Sequence, residues 1–168
     1  MYWWRVTKYN PENRDGQGAY LLDEWTDFSE VGRKFSGKVF TLVEYLEMES
    51  LYVNAVLAFV ECLKVDNLTI YGLEKHVTLK KRDPLSAYLY PLYEKKNGQN
   101  IRREEIANYV RLILRNFLWC KLKNLPFMEV HFGYDYYMYI GSAKPCYEVH
   151  EKIEQSGLFI EYYLSPYI

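Results

Sequence analysis

Apolar and polar side chains alternate along several stretches of the chain, and an alternation with a period of two predicts β-strands. In residues 2–9 it assigns Trp4 and Val6 to one face, and Trp3, Arg5 and Thr7 to the other. Further strands are predicted over residues 68–74, 127–132, 136–140 and 158–164. Residues 19–25 (AYLLDEW) are predicted as another strand, and 86–94 (SAYLYPLYE) as a short strand or a segment lying across the surface.

Other stretches repeat apolar residues at helical spacing. The first helix begins at a capping box, Thr41 with Glu44, in which hydroxyl and carboxylate each accept a hydrogen bond from an otherwise unpaired backbone N–H. It is predicted to end at residues 63–64, and its wide apolar face indicates a central position against a sheet. A second helix is predicted over residues 102–121, and a short third one opens at Ser142 and ends at Gly157.

This set of elements predicts an α+β fold, with two long helices and one short helix packed mainly on one face of a mostly antiparallel sheet. No repeat, low-complexity tract or linker divides the chain, so residues 1–168 are predicted to form a single α+β domain. The chain is 49% hydrophobic with a net charge of −1, which is unlike the composition of a disordered protein. The same charge offers no global attraction to nucleic acid or to anionic membranes.

The cysteines and the opening residues bear on the compartment. Cys62, Cys120 and Cys146 have neither the CxxC nor the Cys/His spacing of a metal site, and an odd, sparse count favours reduced thiols. The opening MYWWRVTKYN lacks the layout of a signal peptide, and the apolar helical run over residues 51–59 is too short to span a bilayer. We therefore expect a soluble cytoplasmic protein with no membrane partner.

The hairpin formed by residues 127–132 and 136–140 is the first candidate site. One of its faces is apolar and belongs against the helices. The opposite face gathers the first set of predicted contact residues: Glu129, His131, Asp135, Tyr137 and Tyr139. We interpret this set as a recognition face for another protein, because an antiparallel sheet can leave one face open. Two alternatives stay open: metal ligation or acid/base chemistry centred on Glu129, His131 and Asp135, or solvated cross-strand neighbours without a function.

The segment LLDEWTDFSEVG is the second candidate site. It mixes four carboxylates with two aromatic rings, and its predicted contact residues are Asp23, Glu24, Trp25, Asp27 and Glu30. Aromatic rings provide binding area at protein interfaces, and the carboxylates would steer a basic partner. The alternative is that Trp25 and Phe28 fill the edge of the core while the acids face water.

Residues 80–103 carry the opposite charge, with seven lysines and arginines against Asp83 and Glu94. Tyr88, Tyr90 and Tyr93 lie among them, and basic side chains interleaved with aromatic rings can grip phosphates and stack on bases. Nucleic-acid binding through this segment is therefore an alternative function. The segment is short and no RNA- or DNA-binding motif accompanies it, so a solvated loop is the preferred interpretation.

No motif of a nucleotide site, a nucleophile elbow, a zinc protease or an EF-hand occurs in the chain. We therefore predict a protein that is not an enzyme, with no catalytic residues, no metal ligands and no cofactor.

Two stretches, WWRVTKYNPENR at residues 3–14 and HFGYDYYMYIG at residues 131–141, resemble small single-domain bacterial immunity proteins encoded beside polymorphic or contact-dependent toxins. Together they cover 23 of the 168 residues. The resemblance implies a cytoplasmic non-enzyme that binds one cognate toxin domain and blocks its active site or its activation. It assigns no role to any individual residue.

Overall fold

A seven-stranded antiparallel sheet runs through the protein in the computed structural model, which describes residues 1–168. The strands in chain order are β1 (Tyr2–Thr7), β2 (Lys34–Phe35), β3 (Lys38–Val39), β4 (Asn67–Lys75), β5 (Asn100–Arg102), β6 (Leu118–Asn124), β7 (Met128–Phe132), β8 (Tyr137–Ser142) and β9 (Phe159–Tyr162). Seven of them lie side by side in the order β5-β4-β6-β7-β8-β1-β9, whereas β2 and β3 form a separate small hairpin. The predicted α+β fold with a mostly antiparallel sheet is confirmed.

The helices are α1 (Leu42–Leu63), α2 (Tyr90–Tyr93), α3 (Arg103–Leu114) and α4 (Tyr147–Gln155). The predicted capping box starts α1: the backbone N–H of Glu44 donates to Thr41 Oγ1 at 3.2 Å, and the N–H of Thr41 donates to Glu44 Oε2 at 2.7 Å. The helix ends where Lys64 adopts a left-handed conformation. The four-residue α2 is additional to the three predicted helices. None of the helices has the length and apolar composition needed to cross a bilayer.

Alternation along the strands divides the sheet into two faces. Val6, Val130 and Ile140 are fully buried on the face that packs against α1, α3 and α4. Arg5 of β1 is paired with Tyr139 of β8 on the opposite face, as the alternation predicts. The helix face is therefore the core, and the opposite face is left for other contacts.

The second long helix is shorter than predicted. α3 ends at Leu114, and residues 118–121, which were expected to belong to the helix, form the first part of strand β6 instead. Asn116 takes a left-handed conformation, with φ of 58°, which breaks the helix. From Leu118 onward, buried residues alternate with partly exposed ones, so the stretch fits a strand with a period of two.

Two predicted strands are absent. In residues 19–25 the only β-type contact is an isolated bridge between Tyr20 and Arg14. Residues 86–94 form a short 3₁₀ helix followed by α2, with Pro91 in its first turn. Leu89 and Leu92 are buried there, so this stretch packs into the core rather than lying across the surface.

The prediction of three reduced thiols is wrong for two of the cysteines. Cys62 near the end of α1 and Cys146 before α4 form a disulfide, with Cα atoms 6.3 Å apart. Their separation of 84 positions means that the sequence alone does not indicate this proximity. Cys120 is free and buried under the sheet's helix face.

Candidate functional site

The first predicted set lies on the sheet face opposite the helices, but its centre is closed to solvent. His131 and Tyr139, which are paired across β7 and β8, are 0% and 6% exposed. Glu129 and Tyr137 are partly buried, and Asp135, in the turn between the strands, is exposed. The sheet face around His131 is therefore covered and is not an open recognition surface.

The cover is the strap, which we define as residues 163–168. Tyr163, Ser165 and Tyr167 contact the sheet face, although the Tyr163 side chain stays 43% exposed, while Leu164, Pro166 and Ile168 are exposed without such contacts. The Tyr167 ring lies 5.9 Å from the rings of both Trp119 and Tyr139. The Tyr163 ring lies 3.9 Å from the guanidinium of Arg5.

His131 is held between two partners under this cover. Its Nδ1 lies 2.8 Å from Ser165 Oγ, and its Nε2 lies 3.2 Å from Glu129 Oε2. Because a carboxylate only accepts, the neutral ring donates from Nε2 to Glu129 and accepts the Ser165 hydroxyl at Nδ1. Burial lowers the pKa of His131 to about 4, against the opposing effect of Glu129. Glu129 in turn accepts from Lys123 Nζ at 2.7 Å.

The serine, histidine and glutamate have the connectivity of an acid/base relay, but both Ser165 and His131 are buried and the ring's two nitrogens are already paired. Asp135 is not among the partners of His131. No three His, Cys, Asp or Glu side chains converge as a metal site would require. The arrangement is suited to holding the strap rather than to reaching a substrate.

Asp135 and Tyr137 lie at a different site, away from His131. They line a cavity of about 300 Å³ together with Tyr9, Tyr20 and Glu24. Although the residue as a whole is exposed, partial desolvation of its carboxyl raises the pKa of Asp135. This cavity connects the end of the first predicted set to the start of the second, since Glu24 also lines the larger cleft described next.

The largest concavity of the protein is the acidic cleft, of about 580 Å³. Three segments build it, namely residues 22–25, the β2–β3 hairpin with Phe40, and the first part of α1. Its apolar lining is Leu22, Trp25, Phe35, Val39, Phe40, Met48 and Leu51. Its charged lining is Asp23, Glu24, Glu44 and Glu47, with Lys38 as the one basic residue. It is an apolar trough with a predominantly negative lining.

The wall formed by residues 22–25 is fixed from beneath by Lys8. The side chain of Lys8 is 2% exposed, and its ammonium donates to Glu24 Oε2 at 2.9 Å. The same ammonium lies 4.1 Å and 4.3 Å from the ring centres of Tyr9 and Trp25. Burial lowers the pKa of Lys8, and Glu24 opposes that shift.

Trp25 is oriented by its neighbours as well. Its indole stacks on Phe40 at 4.4 Å between ring centres and meets the edge of Tyr136 at 4.9 Å. The Tyr9 hydroxyl lies 3.3 Å from the carbonyl oxygen of Trp25 and 3.0 Å from that of Asp135. The tryptophan is thus a preformed part of the cleft wall.

Asp27 and Glu30 do not line the cleft. Asp27 caps a 3₁₀ helix at residues 28–30 by accepting from the N–H of Ser29 at 2.7 Å, and it also accepts from the Asn116 amide. Glu30 accepts from the N–H of Thr26 at 2.7 Å and pairs with Arg33 at 2.7 Å. These two carboxylates shape the segment behind the cleft.

Sequence reasoning missed the other two walls. Phe35 and Phe40 flank the Ser36–Gly37 turn, and a short turn between aromatic residues is a weak hairpin signal. Glu44 and Glu47 lie on the exposed side of α1 beside Met48 and Leu51. The capping box predicted the start of this helix, but no local sequence pattern indicated that the first part of α1 faces residues 22–25.

Three of the seven cations in the basic segment pair with acids of their own protein, while Lys80, Lys81, Arg82 and Lys96 are exposed and form no ion pair. Lys95 pairs with Glu105 at 3.3 Å, Arg102 pairs with Glu104 at 3.1 Å, and Arg103 pairs with Glu61. Tyr93 is buried, and Lys81 lies over the Tyr90 ring at 5.0 Å. Of the three tyrosines, only Tyr88 is exposed, at 54%.

Comparison with known proteins found no match: no family model, no curated protein and no solved structure is significantly similar to this chain.

Proposed function

We propose that the protein is a non-enzymatic protein-binding module of the toxin-immunity kind, which neutralises a cognate toxin domain by occupying it. The acidic cleft is the observation that carries this proposal. It offers a preformed tryptophan and an apolar floor beneath carboxylates. Such a surface fits an apolar anchor of a partner flanked by lysines or arginines.

The charge of the cleft selects the partner. Asp23 and Glu47 are exposed, and neither is neutralised by an ion pair within the protein. Glu24 is already paired with Lys8, so it contributes less to attraction. A basic toxin domain would be drawn to this end of the molecule and would bury Trp25 with the floor of the cleft.

The alternatives have less support. Nucleic-acid binding requires free basic side chains and stacking rings; four of the seven cations are free of ion pairs, but Tyr88 is the one exposed ring of the segment. An enzyme or metal site centred on Glu129, His131 and Asp135 requires convergence and access, whereas His131 is buried without Asp135 as a partner.

Charge reversal in the cleft tests the proposal. The protein is first purified with its partner from the native host at physiological salt. Asp23→Lys with Glu47→Lys is then expected to slow association by about tenfold, with a smaller change in dissociation, because exposed rim charges act mainly on encounter. The matched control is Glu151→Lys, an exposed reversal on α4 outside the cleft. An equal loss in the control, or no protein partner at all, would sink the proposal.

The proposal includes the cytoplasmic location expected from the sequence. The Cys62–Cys146 disulfide is the observation against it, because the cytosol of most cells keeps thiols reduced. Alkylation of free thiols before the native cells are lysed decides the matter. A cytoplasmic protein is expected to carry the label on Cys62 and Cys146, and an unlabelled pair would place the protein in an oxidising compartment.

A further inference from the structure

The strap is attached to the sheet in a different way from every strand beneath it. The backbone N–H of Tyr163 donates to the carbonyl oxygen of Trp3 at 3.2 Å, and residues 164–168 make no backbone–backbone hydrogen bond at all. Two polar contacts to the sheet hold these last residues: Ser165 to His131 at 2.8 Å, and Lys121 Nζ to the carbonyl oxygen of Tyr167. A segment without ladder hydrogen bonds opens at a lower free-energy cost than the strands it covers.

The surface beneath the strap is an aromatic floor. Trp3, Trp119, His131 and Tyr139 come from four different strands and meet on this face. Gly141 permits the close approach of Trp3, because a Cβ at that position would lie 2.9 Å from the Trp3 ring. The floor is rigid, since its rings project from paired central strands.

We propose that this floor is a second binding site, a groove for a peptide of the pattern Tyr-x-Ser-Pro-Tyr that turns after its serine, and that a partner segment of that pattern displaces the strap from it. The strap itself shows the chemistry of the occupant. Its two tyrosines stand four residues apart and contact aromatic rings, and the hydroxyl between them meets His131 Nδ1. The strap turns at Pro166–Tyr167, where the N–H of Tyr167 donates to Ser165 Oγ at 3.2 Å, so a segment of that pattern that makes the same turn reproduces these contacts.

The groove is independent of the acidic cleft. Its floor and strap come from β1, β6, β7, β8 and residues 163–168, and none of these residues lines the cleft. A failure of the groove experiment therefore leaves the proposed function untouched, and the reverse also holds.

The test restores the strap as a separate molecule. A variant lacking residues 163–168 is titrated with the peptide Tyr-Leu-Ser-Pro-Tyr-Ile, the sequence of those residues, while tryptophan fluorescence and heat are measured. Saturable one-to-one binding is expected. The peptide with Ala in place of its second tyrosine is expected to bind at least about tenfold more weakly, because it loses a buried aromatic contact. The control peptide, with Ser in place of Leu and Ile, alters only the exposed side chains and is expected to bind within about threefold. Absence of binding by a variant that still unfolds cooperatively overturns the proposal, as does an equal loss with the control peptide.

A second comparison uses the full chain, in case the shortened variant does not fold. The double variant Ser165→Ala with Tyr167→Ala loosens the strap, whereas Leu164→Ser with Ile168→Ser leaves its inner contacts in place. The peptide is expected to bind the first variant at least about tenfold more tightly than it binds the wild type or the second variant, because an intact strap competes at a high effective concentration. Equal affinity for all three proteins would place the peptide elsewhere and overturn the proposal.

Discussion

The acidic cleft and the sheet face beneath the strap are built from the same kinds of side chain, carboxylates with aromatic rings, but their polar groups find partners in different places. On the sheet face both nitrogens of His131 are paired within the protein, and Glu129 is shared with Lys123. At the cleft, Asp23, Glu24 and Glu44 also accept hydrogen bonds within the protein, and Glu47 is the one carboxylate that is exposed and makes none. Residue type alone therefore does not identify a contact surface. The deciding property is whether the polar groups already have hydrogen-bond or ion-pair partners within the fold.

The same difference has an energetic side. Side chains on the covered face contribute to folding, because they are desolvated and paired in the native state. Side chains at the cleft rim stay in water and contribute little to stability, so they are free to contribute to association. This difference is tested by measuring the stability cost of a substitution in one region against that of a matched substitution in the other.

The largest effect is expected from Tyr139→Ala. The ring is 6% exposed and packs against Tyr163 and Tyr167, so its removal leaves a cavity beneath the strap. Loss of a buried aromatic ring is expected to lower the free energy of unfolding by about 4 kcal/mol. Urea unfolding measures it. The matched change Phe35→Ala, in the half-buried cleft lining, is expected to cost about 1 kcal/mol. Equal losses would mean that the cleft is as much a part of the core as the sheet face.

A smaller effect is expected from acid. The unfolded chain protonates His131 near its ordinary pKa of 6.5, whereas in the folded protein the pKa is lowered to about 4. Below pH 6.5 the unfolded state therefore binds the proton more readily, and stability falls until the pH reaches about 4. The loss is about 3 kcal/mol at 1.36 kcal/mol for each pKa unit. His131→Gln cannot titrate, so the difference between its unfolding free energy and that of the wild type, followed from pH 7 to pH 4, isolates this contribution. Parallel curves would show that the ring titrates normally in the folded protein.

Local signals were enough to predict several elements. The Thr41–Glu44 capping box fixed the start of α1, and alternation assigned the residues of β7 and β8 to the correct faces, whereas Asp135, predicted on the same face as His131, lies in the turn. The predicted α3 was too long because the apolar residues around Leu118 fit both a helical and a strand period. The structure shows that the helix is broken at Asn116, which leaves the strand period as the correct one. Local pattern cannot decide such a case.

Contacts between distant residues account for what was not predicted. The strap reaches His131 from 34 residues away, and the Cys62–Cys146 pair spans 84 residues. The cleft needs three segments to meet, of which only residues 23–25 drew attention through their charge and their tryptophan. Alternation along a strand predicts which face of the sheet a side chain is on. Whether another segment covers that face depends on how the whole chain folds.

The smallest effect is expected from Lys8→Met, which tests whether the cleft wall is held in place from beneath. The variant keeps the buried stem and removes the ammonium that contacts Glu24, Tyr9 and Trp25. The side chain of Glu24 is 37% exposed, so water replaces its lost partner and the cost is held to about 1 kcal/mol. Hydrogen exchange is expected to accelerate in residues 20–26 while the strands keep their protection, because only the wall loses its anchor. Lys38→Met removes the exposed lysine of the same cleft and is expected to change neither quantity. Faster exchange throughout the sheet in the Lys8 variant would show instead that the buried ammonium supports the core and that the cleft has no separate anchor.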